Sequence, residues 1–437
     1  MKYFIRTFGC QMNQHDSEFI GALLEKLGYQ ETDNVASADI VVVNTCSIRD
    51  TAEKKINGFI DSLILAKRLK PTLKVIVVGC MVSNSAKVEE VLARRKHIDI
   101  VLGTRSLDKL PRYLERLETG EGPFLDFNIE DDIAEGRTHK RVDSFRGYLT
   151  ITYGCDNFCS YCVVPYVRGR EKSRELKDIV DEAQQMAAEG VKEITLLGQN
   201  VNSYGKGLAS SADFADVIAA VSDVDGIERI RYMTSHPKDF GDRIIDAIAA
   251  SPKVCRHFHL PAQSGSSSIL TKMNRHYSRE YYLELLEKIK SRFPDAVLTT
   301  DIIVGFPGET ESDFQATVDL LQNLEFDLVY SFIYSPRSGT PGSTMPEQVP
   351  QAIKKQRLLK LMDVQNEISL KKNQEMLGKK YELLGEGISK NNAAVQSGRT
   401  EGNKLVHFTA PSRDYTGELV KVEITEANTW SLKGRLI

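Results

Sequence analysis

The stretch "YGCDNFCSYCVVPYVRGRE", residues 153–171, sets Cys155, Cys159 and Cys162 within eight positions. A structural zinc takes four protein ligands and closes its shell, whereas a catalytic metal keeps one position open. A four-iron cube also needs four ligands, so three thiolates would hold three irons and leave the last for something else. Zinc on three cysteines is the competing reading of this spacing. A second trio is dispersed: Cys10, Cys46 and Cys80 close the words "KYFIRTFGC", "DIVVVNTC" and "KVIVVGC". Cys255, in "SPKVCRHF", has no partner spacing and reads as a small buried side chain.

The elements that must position these residues follow from hydrophobic period. Over residues 1–120, continuous apolar runs alternate with amphipathic stretches such as "SEFIGALLEKLGY", "TAEKKINGFIDSLILAKRLK" and "KVEEVLARR". Continuous apolar strands between helices imply a parallel sheet covered on both faces, a doubly wound domain. The dispersed cysteines then share one carboxyl edge, where ligands bind in such sheets. Residues 121–145 are polar and aperiodic and read as a linker. From 146 to 345 six strands alternate with helices ("YLTITYG", "EITLLG", "RIRYMTS", "RHFHLPA", "VLTTDIIVGF", "LVYSFIYS"), as in a partial (β/α)6 barrel with its chemistry at the carboxyl ends. A charged helix over 346–377 connects to short alternating strands over 378–437, a small β-barrel.

Composition is that of a globular chain, 41% hydrophobic and 27% charged over 437 residues. No apolar run approaches a membrane span, and "MKYFIRTFGCQMN" has no apolar core of leader length, so the expected location is cytoplasmic. Seven cysteines is an odd number, which favours metal or redox chemistry over a disulfide framework. Residues 351–437 carry 15 Lys and Arg against 10 Asp and Glu, a net of +5 in a chain of net −3, so the last segment is expected to meet a polyanion.

With its CxxxCxxC loop after the first barrel strand, the chain resembles the radical S-adenosylmethionine superfamily. That resemblance implies a [4Fe–4S] cluster on Cys155, Cys159 and Cys162 whose open iron is chelated by the cofactor. It implies further cofactor contacts at successive strand ends: Tyr161 near the adenine, Gln199 and Asn200 near the methionyl amine, then Ser235, His236, Gln263 and Ser264, with Ile303 and Gly305 along the adenine. His257 and His259 read as core.

Across nearly its whole length the chain also resembles the methylthiotransferase family: a flavodoxin-like N-terminal domain, a radical barrel and a C-terminal TRAM domain. The words "TFGCQMNQHDSE", "NTCSIRDTAEKK", "GCDNFCSYCVVPYVRGRE" and "HLPAQSGSSSILTKMNRHYSREYY" look like its MiaB-type branch. Gln11 and Met12 match neither the Pro-Lys of the aspartate-modifying branch nor the Lys-Val of the threonylcarbamoyl branch. The resemblance implies an auxiliary [4Fe–4S] cluster on Cys10, Cys46 and Cys80. It implies methylthiolation at C2 of N6-isopentenyladenosine beside the anticodon of tRNA, with one S-adenosylmethionine as methyl donor and a second as radical source. A low-potential donor such as flavodoxin or ferredoxin would supply electrons. RNA contacts are expected at Arg168 and Arg170 beside the cluster loop and at Arg399, Lys404, Phe408 and Lys433 in the tail, with Trp430 in the core of the small barrel.

Overall fold

The computed structural model describes residues 1–47, 50–83, 95–128, 136, 138–389 and 392–437. The helix expected over "KVEEVLARR" falls almost wholly outside them. Six parallel strands form the first sheet: β1 (Lys2–Thr7), β2 (Gln30–Glu31), β3 (Ile40–Thr45), β4 (Lys74–Gly79), β5 (Ile100–Leu102) and β6 (Phe124–Asp126). Their order is β2-β1-β3-β4-β5-β6, a doubly wound, flavodoxin-like arrangement. β6 is a correction, since it lies inside the stretch expected to be a linker. At three residues it carries too little pattern to be read, and it pairs with β5 from Ile100↔Phe124 to Leu102↔Asp126.

Period 2 explains the layers. Ile40, Val42, Ile76, Val78, Ile100 and Leu102 pack with Phe19, Ile20 and Leu24 of the helix Gln11–Lys26. Val41, Val43, Val75, Val77 and Val101 point the other way, onto Ile56, Ile60 and Leu63 of the helix Asp50–Leu69. Each such aliphatic side chain contributes roughly 1.5–3 kcal/mol of burial free energy, so a slip of one residue in register is strongly disfavoured.

The second unit holds six parallel strands in two runs. β7 (Arg146–Thr150), β10 (Glu193–Leu197) and β11 (Arg229–Tyr232) form one sheet. β12 (His257–His259), β13 (Val297–Val304) and β14 (Leu328–Ile333) form the other, and an Ile230↔Val254 bridge joins the runs. Between β7 and β10, β8 (Thr152–Tyr153) and β9 (Lys172–Ser173) pair antiparallel and close the base of the cysteine loop. The helix Gln351–Gln374 is no free connector: Leu361 and Ile368 join the barrel core, and Arg357 pairs with Glu309 at 2.6 Å.

The last strands, β15 (Lys380–Ser389), β16 (Asn392–Thr400), β17 (Leu405–Thr409), β18 (Leu419–Ala427) and β19 (Leu432–Leu436), close a barrel in the order β15-β16-β17-β19-β18. Its turn between β16 and β17 caps the amino-terminal mouth of the large barrel. Buried Arg229 donates to the carbonyls of Arg399 and Glu382, both at 3.0 Å. Arg231 donates to the carbonyls of Thr400 at 2.9 Å and Glu401 at 2.8 Å, and pairs with Glu193 at 2.8 Å. The expectations for Phe408, Lys404 and Trp430 are corrected here. Phe408 is 1% exposed and is core of the small barrel. Lys404 is half-buried on Asp327 at 2.8 Å, whereas Arg399, which bonds Glu386 at 3.0 Å and the Asn403 carbonyl at 3.0 Å, keeps a partly exposed side chain. Trp430, expected in the core, is 64% exposed on the β18–β19 turn. Among the described residues no helix is long and apolar enough to cross a membrane.

Replacing Arg231 by Met strands the Glu193 carboxylate and two carbonyls in the interior. The expected result is a loss of at least about 3 kcal/mol of stability in denaturant unfolding, against near-neutrality for a change at exposed Arg435.

Candidate active site

The dispersed cysteines meet at one sheet edge. Cys10 is the N-cap of the helix Gln11–Lys26, Cys46 follows β3 and Cys80 follows β4. Asn13, three residues after Cys10, ties the loops together. Its Nδ2 donates to the carbonyls of Phe8 at 2.7 Å and Thr45 at 2.9 Å, just before Cys10 and Cys46. Gly79 precedes Cys80 at φ +101°, where a Cβ would stand 2.5 Å from the Thr45 carbonyl oxygen; only glycine lets these strand ends close. Burial pushes the Cys80 thiol up to about 12; Cys10 and Cys46 act in the same direction, and the Arg168 guanidinium opposes them.

Arg168 is therefore not an RNA contact, and that expectation is corrected. It is buried, donating from Nε to Cys80 Sγ at 3.2 Å and from Nη2 to Asn13 Oδ1 at 2.8 Å and Asp16 Oδ2 at 2.9 Å. It comes from the short helix Val164–Arg168, which directly follows the CxxxCxxC loop. Arg105 of the first domain returns the contact, donating to the carbonyls of Arg168 at 3.0 Å and Arg170 at 2.9 Å. Val163 and Val167 pack on Cys80, so a continuous buried path links the two trios.

Cys155, Cys159 and Cys162 sit in a loop braced from all sides. Gly154 turns it at φ +74°, with a Cβ position 2.1 Å from the Arg170 carbonyl oxygen, and its N–H donates to Gln199 Oε1. Asn274 Nδ2 donates to the Phe158 carbonyl at 3.0 Å, and Arg275 donates to Cys159 Sγ at 3.4 Å. Burial pushes the Cys162 thiol up to about 12 and the Cys155 thiol up to about 11, and the neighbouring cysteines add to both.

Beside this loop lies a cradle at the carboxyl ends of successive strands. Ser235 Oγ, His236 Nε2 and Gln263 Oε1 are buried without a hydrogen-bond partner in the protein. Buried polar atoms are nearly always paired, so three orphans at neighbouring strand ends mark a place for a polar ligand. Thr234 at φ 66° and Gln263 at φ 69° hold left-handed backbone there, strain of the kind that functional sites accumulate. Tyr161, Met273, Ile303, Phe306 and Tyr334 form an adjoining apolar wall suited to a flat heterocycle. Burial holds the His236 imidazole neutral, and its Nδ1 accepts from the Lys238 N–H at 3.3 Å.

Other expected contacts have structural work instead. Asn200 is taken up by Asp239 at 2.7 Å and by the His236 N–H at 3.1 Å. Ser264 accepts from the Ser266 N–H at 3.2 Å, and the Gly305 N–H donates to Glu309 at 2.7 Å. Gln199 Oε1 braces the cysteine loop through the Gly154 N–H. His257 and His259 share Thr299 Oγ1 at 3.0 Å, as core histidines do. Arg275, Asn13 and Asp16 were missed. The available signal was polar residues three and six positions after Cys10, on a helix face that must be buried.

A cavity of about 440 Å³ fills the barrel interior. Tyr148, Glu193, Arg231 and His257 line its walls, Arg399 lies at the end capped by the small barrel, and Gln11 and Gln14 reach it from the residues just after Cys10. The Tyr148 hydroxyl donates to Gln14 Oε1 at 2.7 Å across the two domains. Arg170 is exposed, over the Phe158 ring at 5.0 Å and paired with Asp156 at 2.9 Å, and Lys433 is exposed beside Glu426 at 2.8 Å.

Residues 149–321 match the radical SAM superfamily, 2–103 the uncharacterized protein family UPF0004 and 374–437 the TRAM domain. The chain is 49% identical over 437 residues to the tRNA-2-methylthio-N(6)-dimethylallyladenosine synthase of Alkaliphilus oremlandii, covering 100% of this chain and 93% of that protein. The protein of the same name from Acetivibrio thermocellus is 48% identical over 436 residues, covering 100% and 91%. The chain belongs to the tRNA-2-methylthio-N(6)-dimethylallyladenosine synthase family. Among solved structures, the radical S-adenosylmethionine methyltransferase TsrM from Kitasatospora setae superposes with TM-score 0.58 at 17% identity, over 78% of this chain and 74% of that one. The cobalamin-dependent radical enzyme OxsB gives 0.54 at 11%, over 83% and 56%. Both likenesses are of fold.

The donor sets of this synthase-family chain fit iron–sulfur clusters better than single ions. A tetrahedral zinc with Zn–S of about 2.3 Å needs sulfurs about 3.8 Å apart. Among the described residues, His15, His139 and Glu182 are a separate trio whose ligand atoms all lie within 4.8 Å of one another. Three soft thiolates are the requirement of a multi-iron cage with one free corner.

Glu18 offers a pH test of the joint between the domains. Burial raises its carboxyl to about 7, while the Val142 N–H at 3.2 Å lowers it. The folded state thus prefers the protonated acid: its contribution is full below about 4.5, the ordinary value, and is lost as pH rises through about 7. Relative to Glu18→Gln, the wild type should lose roughly 3 kcal/mol between pH 4 and pH 8, read from paired unfolding curves.

Proposed function

We propose that this chain transfers a methylthio group to C2 of N6-dimethylallyladenosine in tRNA, at the nucleotide 3′ of the anticodon. The carrying observation is the pair of open cysteine trios at two carboxyl sheet edges, joined through Arg168, in a chain 49% identical to a synthase of that name. Two [4Fe–4S] clusters and S-adenosylmethionine are the cofactors that suit these donors. When bound, the cluster–cofactor pair supplies a 5′-deoxyadenosyl radical and the auxiliary cluster supplies sulfur, chemistry that side chains cannot provide.

The protein's own part is to hold, orient and enclose. Cys155, Cys159 and Cys162 would grip one cluster and Cys10, Cys46 and Cys80 the other. Ser235, His236 and Gln263 present polar atoms where the cofactor's charged end needs partners, and Tyr161 and Ile303 supply the flat apolar wall. His236, held neutral with Nδ1 accepting from the Lys238 N–H, carries its proton on Nε2 and can donate one hydrogen bond there without adding charge. C2–H of a purine is too weakly acidic for a side-chain base to remove, so a radical route suits this carbon. The base would enter the cavity below Gln11 and Gln14, next to Cys10.

Of the expected RNA contacts, Arg170 and Lys433 keep exposed charge for phosphate, and exposed Trp430 adds a stacking surface. A base in the anticodon loop is already unpaired, which lowers the cost of extruding it. Electrons come from a low-potential protein such as flavodoxin or ferredoxin, in the cytoplasm.

With reduced protein and S-adenosylmethionine, Cys159→Ala should abolish 5′-deoxyadenosine. Cys46→Ala should retain its formation but yield no 2-methylthio product on an anticodon stem-loop bearing N6-dimethylallyladenosine. Mass spectrometry of nucleosides checks both, and full product from either variant would defeat the assignment.

A further inference from the structure

Two arginines are buried against cysteine sulfurs, one in each trio, and their surroundings differ in charge. Arg168 meets Cys80 Sγ at 3.2 Å and a carboxylate, Asp16, at 2.9 Å. Arg275 meets Cys159 Sγ at 3.4 Å, and its other partners are the hydroxyls of Tyr161 at 3.3 Å and Tyr277 at 3.1 Å and the Pro261 carbonyl at 2.7 Å. None of those partners is an acid. Asp16 is itself buried, so solvent screens little of its field.

We infer that Arg168 and Asp16 act as an opposed pair that sets the reduction potential of the cluster on Cys10, Cys46 and Cys80, Arg168 raising it and Asp16 lowering it. The inference rests on the cluster assignment proposed above. Adding one electron to an iron–sulfur centre adds negative charge, so an N–H donor on a ligating sulfur and a nearby cation both stabilise the reduced form. A carboxylate on the same guanidinium cancels much of that charge. On the loop side, among the described residues, no carboxylate binds the arginine itself, and the acids that act on that trio, Asp156 and Glu171, lie by Cys155. On Cys80 the donor and the carboxylate share one guanidinium, so removing either moves the auxiliary potential in the opposite direction from removing the other. Arg168 is a positioning residue in this scheme: it touches a ligand, not the substrate. Its main chain is held separately through Arg105, so side-chain changes leave the loop anchored.

The test is a potentiometric titration followed by electron paramagnetic resonance on the full chain, reconstituted anaerobically. The loop cluster is recognised by its response to S-adenosylmethionine. Asp16→Asn should shift the auxiliary potential upward, Arg168→Gln downward and Arg168→Lys by less than Gln, with the loop cluster unmoved in all three. A merely structural role would change iron content but not the potential of the clusters that remain. Iron should stay at about eight per chain, the content of two cubes. If Arg168→Gln sheds auxiliary iron, Asp16→Asn, which keeps the guanidinium, decides by itself. An unchanged auxiliary potential in fully loaded Asp16→Asn overturns the inference. A wild-type chain that binds only about four irons overturns the two-cluster assignment first, and this inference with it.

Discussion

Two parallel sheets must present their carboxyl edges to each other, and a reciprocal exchange of arginines holds them there. Arg105 reaches from the first domain to the backbone of residues 168–170, and Arg168 reaches back to Cys80, Asn13 and Asp16. Buried charge is costly unless every donor is matched, and breaking one partner of such a set costs several kcal/mol. The exchange is therefore weak as a source of net stability but strong as a source of geometry: other relative placements of the domains would leave a guanidinium unmatched. The two cysteine trios inherit their relation from it.

A second consequence concerns the far end of the barrel. Arg229 and Arg231 bind main-chain carbonyls of the small C-terminal barrel, so that module closes the amino-terminal mouth as well as offering an outer surface. Basic residues that charge counting assigns to RNA are partly engaged here: Lys404 pairs with Asp327, and Arg399 with Glu386 while staying partly exposed. What is left outward is smaller and different in kind, Trp430 and Lys433 on and beside one turn. Net charge of a segment reports composition, and which charges reach solvent depends on how the segment packs.

The long apolar strands and the placing of the six cysteines after strand ends were legible because apolar runs of this length admit one burial pattern; the two-residue β2 was not. β6 was not legible, being a three-residue strand in a polar stretch. At the barrel strand ends Ser235, His236 and Gln263 keep unpartnered buried polar atoms, whereas Asn200 and Ser264 are bound up in local turns. From spacing alone a capping serine and a ligand-binding serine look the same, because both sit just after a strand.

By itself the sequence determined the order of elements, the family, and which thiols share an edge, since these follow from local period and from motifs read in one dimension. Only the tertiary structure decided that Arg168 belongs to Cys80 rather than to RNA, that Phe408 is core and Trp430 is not, and that a buried carboxylate accompanies one arginine and not the other. The physical reason is burial: whether a charge or a ring meets solvent or a distant partner is set by contacts between residues far apart in the chain, 155 positions for Asn13 and Arg168 and 170 for Arg229 and Arg399.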